Sequence, residues 1–364
     1  SVNKRQTSTR RSIIVDDCPP KVSSPIVSAR RRMVSTPAVA SAIIAISLLI
    51  FLATRFEVDL TETLRHIMNS NPWWYGLAFI TYYMSFVVRG YRWRLLATNV
   101  GVHKQPGSRL PSIAECSLLL LLGWFANAIG WLRMGDAYRA YSFSSSARSS
   151  TVQSLGIIVA ERMIDAVAIF VLLLTSGIWL LLQNDVGPSW LFILISLGMA
   201  ILGVGALLIM ARYGRQLSQW LPTRWQKHYA NFHQGTLGSF RNVPMLGILS
   251  LGGWFLEVGR LFFVIKALGF SVTMPFILFA ALVNAVLSTV PLTPGGLGVV
   301  EPGIIGLLTI TLPQSVAISI VLLDRSLSYL SIVIVGAVAF FLRQALRTSR
   351  NLKSAPTSDE QGTT

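Results

Sequence analysis

Charge is scarce in this chain. Asp, Glu, Lys and Arg make up 13% of its 364 residues while 52% are hydrophobic, and mean hydropathy is +0.58. Soluble domains carry about 25% charged residues, so the shortage argues against a water-soluble enzyme and for an all-α polytopic membrane protein. Cysteine is scarcer still: Cys18 lies in a polar stretch and Cys116 inside an apolar run, which leaves no disulfide framework and no CxxC site. The four histidines (His66, His103, His228, His233) are scattered without ligand-like spacing, so neither a metal nor another cofactor is expected. The formal net charge of +16 lacks the clustering of a nucleic-acid patch, because the Lys and Arg residues sit at the ends of apolar segments. There they orient a membrane protein, and no nucleic-acid partner is expected.

What is abundant is apolar runs. Residues 1–36 are rich in Ser, Arg, Lys and Pro and read as a disordered basic cytoplasmic tail. Arg30, Arg31 and Arg32 abut a run at about 38–54, which reads as a signal anchor with its amino end in the cytoplasm. Further runs cover about 73–95, 112–132, 153–183, 189–211, 247–268, 275–312 and 314–342. Basic loops place the ends of several on the inner face, and this creates a parity problem. Two runs lie between the inside loop at 97–111 and the outside loop at 184–189, where an odd number of crossings is required. The resolution is that 112–150 enters and returns as a re-entrant hairpin, and the same arithmetic makes 275–312 a second one. Non-helical backbone at that depth is tolerated where protein or a wet cavity covers it.

The expected organisation is an inverted-topology repeat of about six full crossings plus two re-entrant hairpins, with both termini in the cytoplasm of a cell-membrane protein. The first repeat is 37–183; the second is 184–342, with a cytoplasmic linker at 212–246; a polar cytoplasmic tail follows at 343–364. Such repeats are typical of transporters whose substrate site lies at the midplane between broken helices.

Each hairpin ends in an un-lipid-like motif, Asn127 to Arg139 in the first and Pro291 to Glu301 in the second. Each is followed by a long apolar run containing an acid and an arginine side by side, Glu161-Arg162 and Asp324-Arg325. Eight ionisable residues fall within apolar runs: Glu161, Arg162, Asp165, Glu257, Arg260, Glu301, Asp324 and Arg325. At roughly 2.5–3.5 kcal/mol each, exposing all of them to lipid would cost on the order of 20 kcal/mol, more than the typical total stability of about 5–15 kcal/mol. They must pair or line water. Two readings stand side by side: ion pairs knitting the halves together, or a charged cavity for a polar headgroup.

The candidate headgroup residues are Arg133, Asp136, Arg139, Glu161, Arg162, Asp165, Gly295, Gly296, Gly298, Glu301, Asp324 and Arg325. Arg133 and Arg139 suit bidentate phosphate binding, against the alternative that they snorkel to the interface. The Pro294-Gly-Gly-Leu-Gly298 turn offers amide hydrogens at a helix start, where anions are favoured. Asn127 and Asn284, each just before a hairpin tip, are expected to close a broken helix by bonding free carbonyls. Gly135, Pro291, Pro294 and Tyr329 are assigned hairpin-structural roles. Arg89, Arg92, Trp93 and Arg94 read as an interfacial cluster at the cytoplasmic end of the second run, ordinary positive-inside anchoring in preference to a lipid site.

These motifs, Asn127 to Arg139, Glu161-Arg162 with Asp165, Pro294-Gly-Gly-Leu-Gly-Val-Val-Glu301 and Arg325 with Tyr329, resemble the transmembrane region of lysylphosphatidylglycerol synthase, a flippase-like membrane family. The likeness covers about 40–343. In that family the first motif reads Asn, three residues, Pro, then Arg-x-Gly-Glu; here Trp131 stands at the Pro position and Asp136 replaces Glu. The resemblance implies a flippase or polyprenyl-lipid carrier for an anionic lipid, working beside enzymes of envelope-lipid or glycan synthesis. Bifunctional members carry an aminoacyl-transferase domain after the membrane part; only the polar stretch after 343 follows here, so lipid aminoacylation is not expected. The alternatives are a membrane-embedded lipid-phosphate transferase using Glu161, Asp165 or Glu301 as base, and a non-transporting accessory subunit.

Overall fold

The computed structural model describes residues 60–130, 134–183, 223–288 and 294–353, with a few isolated positions between 197 and 212. The expected amino-terminal tail, the carboxyl tail beyond 353, the run at 38–54, most of the run at 189–211, the loop at 184–189 and the residues Trp131, Arg133 and Pro291 lie outside them.

All regular structure among the described residues is helical. A short α1 (Leu60–Met68) precedes the long α2 (Pro72–Val100), a short α3 (Ile113–Ile129), a short α4 (Met134–Ala147) and the long α5 (Thr151–Gln183). After α6 (Thr223–Leu237) the same order returns: long α7 (Val243–Ala267), short α8 (Met274–Leu287), a turn at Pro294–Gly296, short α9 (Val300–Leu308), then a long rod. The rod runs as α10 (Gln314–Arg325), a π-helical segment (Ser326–Ser331) and α11 (Ile332–Lys353). The sequence dictates several boundaries. Asn71 accepts a bond from the Trp73 amide (2.9 Å) with Pro72 in the first turn, and Gly101 ends α2 with φ of 82°. Ser112 Oγ accepts from the Glu115 amide (3.1 Å), a cap at the start of α3.

Length separates two classes of helix. Val243–Ala267 (25 residues) and the stretch Gln314–Leu346 (33 residues) are long and apolar enough to cross a membrane. By contrast α3 has 17 residues and α8 has 14, rising about 26 and 21 Å against a hydrocarbon core of about 30 Å. Large apolar side chains stay exposed on the long elements, among them Ile80 and Met84 on α2, Phe255 on α7, and Leu330, Ile334, Val338 and Phe341 along the rod. That pattern suits contact with lipid.

Two apolar cores follow the repeated order. One joins α2, α3 and α4 around Trp93, Leu96, Leu119 and Phe143; the other joins α7, α8, α9 and α10 around Leu261, Phe276, Ile304 and Ile320. The α2 and α7 helices run against each other between them, close-packed where Gly253 meets the Arg89 side chain and Gly259 meets Thr81. α6, within the expected linker, packs on α5 through backbone contact at Gly156 and Gly235.

The tips of the two short-helix pairs meet. Gly295, with φ of 62°, lies under the Tyr329 ring and beside Ala128, and the Tyr329 hydroxyl donates to the Ala128 carbonyl (3.2 Å). At the first tip the Asn127 side-chain oxygen accepts from the Gly135 amide (2.8 Å). One of the N–H groups that begin α4, which lack a partner within the helix, thereby finds an acceptor.

Gly135 is fixed by the approach of α4 to α3, where an added Cβ would run into the Gly123 carbonyl oxygen and the Asn127 side chain. Gly135→Val should therefore destabilise by about 1–3 kcal/mol, seen as a lower unfolding midpoint of the solubilised protein. Gly76→Ala, in α2 with open space around its added methyl, should not lower it.

Candidate functional site

The buried charges sort into three groups, each balanced among the described residues. In the first, Arg92 of α2 donates to Asp165 (2.5 and 2.9 Å) and Glu161 (3.2 Å) of α5. Arg139 of α4 donates to the other Glu161 oxygen (2.6 Å), and Arg162 reaches back to Asp136 (2.9 Å), which also lies 3.6 Å from Arg139. Ser250 of α7 donates to Asp165 (2.8 Å) while accepting from Arg92. Three arginines thus face three carboxylates.

The second group spans the α2–α7 contact. Glu257 lies 3.4 Å from Arg89 and 3.3 Å from Arg260, and Arg260 also donates to Asp324 of α10. Arg89 sits between the Trp124 and Trp254 rings, 5.3 and 4.9 Å from their centroids, and Arg260 lies 5.3 Å from that of Tyr82; such faces attract cations. The third group is Arg325 with Glu301 at 3.0 Å. The other Glu301 oxygen accepts from the Gly298 amide at 2.6 Å. One amide of the glycine turn, that of Gly298, is therefore taken by the chain's own carboxylate.

Between the groups lies a cavity of about 290 Å³. Of the candidate headgroup residues, Arg162, Asp165, Gly295, Gly296 and Arg325 reach its wall, together with Asn127, Asn284 and Tyr329, and with Arg89, Glu257 and Arg260. Asp136, Arg139, Glu161, Gly298, Glu301 and Asp324 stand outside the wall; of these, Asp136 pairs with the lining Arg162, Asp324 with Arg260 and Glu301 with Arg325. Arg139 does not snorkel: it is 1% exposed and lies 4.5 Å from the Trp93 ring centroid. Pro294 opens the turn at the second tip.

Arg89 and Arg92 require a correction. They are buried partners at the centre of the network rather than interfacial anchors, whereas Arg94 bonds the Pro111 carbonyl (3.1 Å) in a partly buried position. Their i, i+3 spacing on α2 matches that of Glu257 and Arg260 on α7, and this repeat was the available signal. The adjacent acids and arginines do not pair with each other either. Neighbours in a helix point about 100° apart, so Glu161 binds Arg92 and Arg139, and Asp324 binds Arg260. Trp124, Trp254 and Ser328, also on the wall, carried no charge or motif to mark them.

The wall is rich in donors. Nε of Arg89 and Arg162, Nη2 of Arg325, Nε1 of Trp254 and Oγ of Ser328 are buried and make no hydrogen bond. Four arginines (Arg89, Arg162, Arg260, Arg325) and two carboxylates (Asp165, Glu257) line it. Among the described residues no cluster of His, Cys, Asp or Glu could hold a metal ion.

The family profile described as Lysylphosphatidylglycerol synthase TM region matches residues 38–336. A UPF0104 membrane protein of Methanocaldococcus jannaschii is 30% identical over 238 residues, covering 63% of this chain and 99% of that protein. A second from the same organism is 22% identical over 82% of this chain and 94% of its own length. One from Pyrococcus horikoshii is 20% identical over 84% of this chain and 98% of its own.

Removing one partner from a buried ion group leaves the others uncompensated, at a cost of about 3–5 kcal/mol. Arg92→Met should accordingly destabilise severely in a thermal or denaturant melt. Arg109→Met, which breaks a pair whose arginine side chain is 63% exposed and a bond from Nε to the Ser146 carbonyl (2.7 Å), should cost less, about 1–2 kcal/mol.

Proposed function

Because this chain belongs to the lysylphosphatidylglycerol synthase transmembrane-region family of membrane proteins, we propose that it is a flippase-like transporter that holds the anionic headgroup of a phospholipid or polyprenyl phosphate in the central cavity. The observation that carries the proposal is the set of buried, unpartnered donors on the cavity wall. Each unmade bond costs about 1–3 kcal/mol, and a phosphate group supplies several acceptor oxygens to repay it. In this reading the α3–α4 and α8–α9 pairs are re-entrant hairpins entering from opposite faces of the cell membrane, and their touching tips form the floor of the site. Acyl chains stay in the bilayer while rocking of one repeat against the other exposes the cavity to each side in turn.

The reading is preferred to a membrane-embedded lipid-phosphate transferase because its candidate bases, Glu161, Asp165 and Glu301, are each engaged by arginine. A base must be free to take a proton from its nucleophile.

Reconstitution into liposomes containing fluorescently labelled phospholipids or polyprenyl phosphates tests the proposal. The protein should accelerate leaflet exchange of at least one anionic lipid. Trp254→Phe, which removes one N–H, and Arg325→Gln should slow it about tenfold or more, as expected for a lost bond to a charged acceptor. No acceleration across the panel would refute the reading, and wild-type rates in both variants would displace the site from this cavity.

A further inference from the structure

We propose that the headgroup held in the cavity is a phosphate joined to a polyhydroxylated ring, a sugar or an inositol, and that Asn284 reads the ring's hydroxyls. This rests on the transport reading above and names its substrate class.

The wall offers more than a phosphate can use. Ionised phosphate oxygens accept hydrogen bonds and donate none, so they answer the free donors of Arg89, Arg162, Arg325 and Trp254. They do not answer the acceptors that share the wall, the carboxylates of Asp165 and Glu257 and the carboxamide of Asn284. Carboxylates are also poor neighbours for an anion at low dielectric. Ion pairing does not by itself demand a place on the wall, because Asp136, Glu301 and Asp324 hold Arg162, Arg325 and Arg260 from outside it. A hydroxyl, by contrast, is both donor and acceptor. A ring with adjacent hydroxyls can bridge an arginine and the carboxylate beside it. The wall presents such a set where Glu257 lies 3.4 Å from Arg89 and 3.3 Å from Arg260.

Size points the same way. At about 30 Å³ per water in the liquid, the cavity of about 290 Å³ holds about ten waters, more than twice the four oxygens that a phosphate brings. The remaining room suits a six-membered ring with its hydroxyls. Tyr82, Trp124, Trp254 and Tyr329 also reach the wall. A sugar ring has flat C–H faces and a polar rim, which match aromatic lining with a few placed polar groups. Asn284 borders the cavity and also a second space of about 10 Å³, alongside Asp324 and Arg325. Its carboxamide both donates and accepts. It carries no charge, so replacing it strands no ion partner.

The test uses the full chain in nanodiscs with two pairs of short-chain phosphodiester probes, all of charge −1. Dihexanoyl phosphatidylinositol is set against dihexanoyl phosphatidylmethanol, and citronellyl glucosyl phosphate against citronellyl methyl phosphate. At least one ring-bearing probe should bind about tenfold or more tighter than its methyl partner, the worth of a few net hydrogen bonds. The pair that shows the difference tells a phospholipid from a polyprenyl source. Asn284→Leu, close in size, should cut that ratio severalfold and leave the affinity for the methyl probes unchanged. Methyl probes bound as tightly as ring probes in both pairs would overturn the ring and leave the transport reading standing. Failure of all four probes to bind would remove both. An unchanged ratio in Asn284→Leu would overturn the role of Asn284. Should that variant fail to fold, Asn284→Ala takes its place, and the wild-type ratios decide the substrate class.

Discussion

Buried charge in a low-dielectric environment must be matched almost residue for residue, and the rest of this molecule is arranged around that constraint. Among the described residues, six arginines and six carboxylates are drawn from α2, α4, α5, α7, α9 and α10 and meet in three groups. Apolar packing alone discriminates poorly between helices whose surroundings are equally apolar. Ion pairs of this kind are poor sources of net stability but strict specifiers of arrangement, since any misregister strands a charge. The pairing of α2 with α5 through Arg92, and of α7 with α10 through Arg260, is the same contact made once in each half.

The halves meet by a different means. Glu257 bridges to Arg89 across the α2–α7 boundary, and small residues at Gly253 and Gly259 let those two helices approach. At the tips, the Gly295 turn, the Tyr329 ring and the Ala128 carbonyl join the second short-helix pair and the long rod to the first pair. A polar cavity is what remains when two such halves are held together by charges that leave some of their donors unused.

Much of the fold was legible because membrane burial writes simple signals. The apolar runs placed every long helix among the described residues, and the interruptions at Asn127–Arg139 and Pro291–Glu301 marked where helices break. The eight ionisable residues in apolar runs were rightly expected to need partners, and the Glu257–Arg260 pair at i, i+3 is present. What sequence could not supply was the identity of most partners. Arg89 and Arg92 were misread because a basic residue near the end of an apolar run has two physical uses, facing headgroups or facing a buried acid, and local sequence is the same for both. The bond from the Gly135 amide to Asn127 was not foreseen for a similar reason: an amide can donate or accept, and only the geometry of the tip reveals which backbone groups it meets. Trp254 and Ser328 carry no charge, so nothing in an apolar or helical pattern distinguishes them from packing residues.

The π-helical segment at Ser326–Ser331 acts as a phase shifter. Widening the helix there absorbs about one extra residue, which turns everything downstream by about 100° relative to an uninterrupted α-helix. Three tyrosines of α2 hold it open: Tyr75 shares a hydrogen bond with Ser326, Tyr82 donates to the Ser328 carbonyl and Tyr83 shares one with Ser331. Arg325, before the segment, looks into the cavity, while the stripe of Ile334, Val338 and Phe341 after it looks outward. Relaxing those six residues to ordinary α-helix would rotate one relative to the other, so the inward aim of the arginine and the outward aim of the greasy stripe are set by a single short stretch of backbone, and a helix on the opposite half holds the key to it.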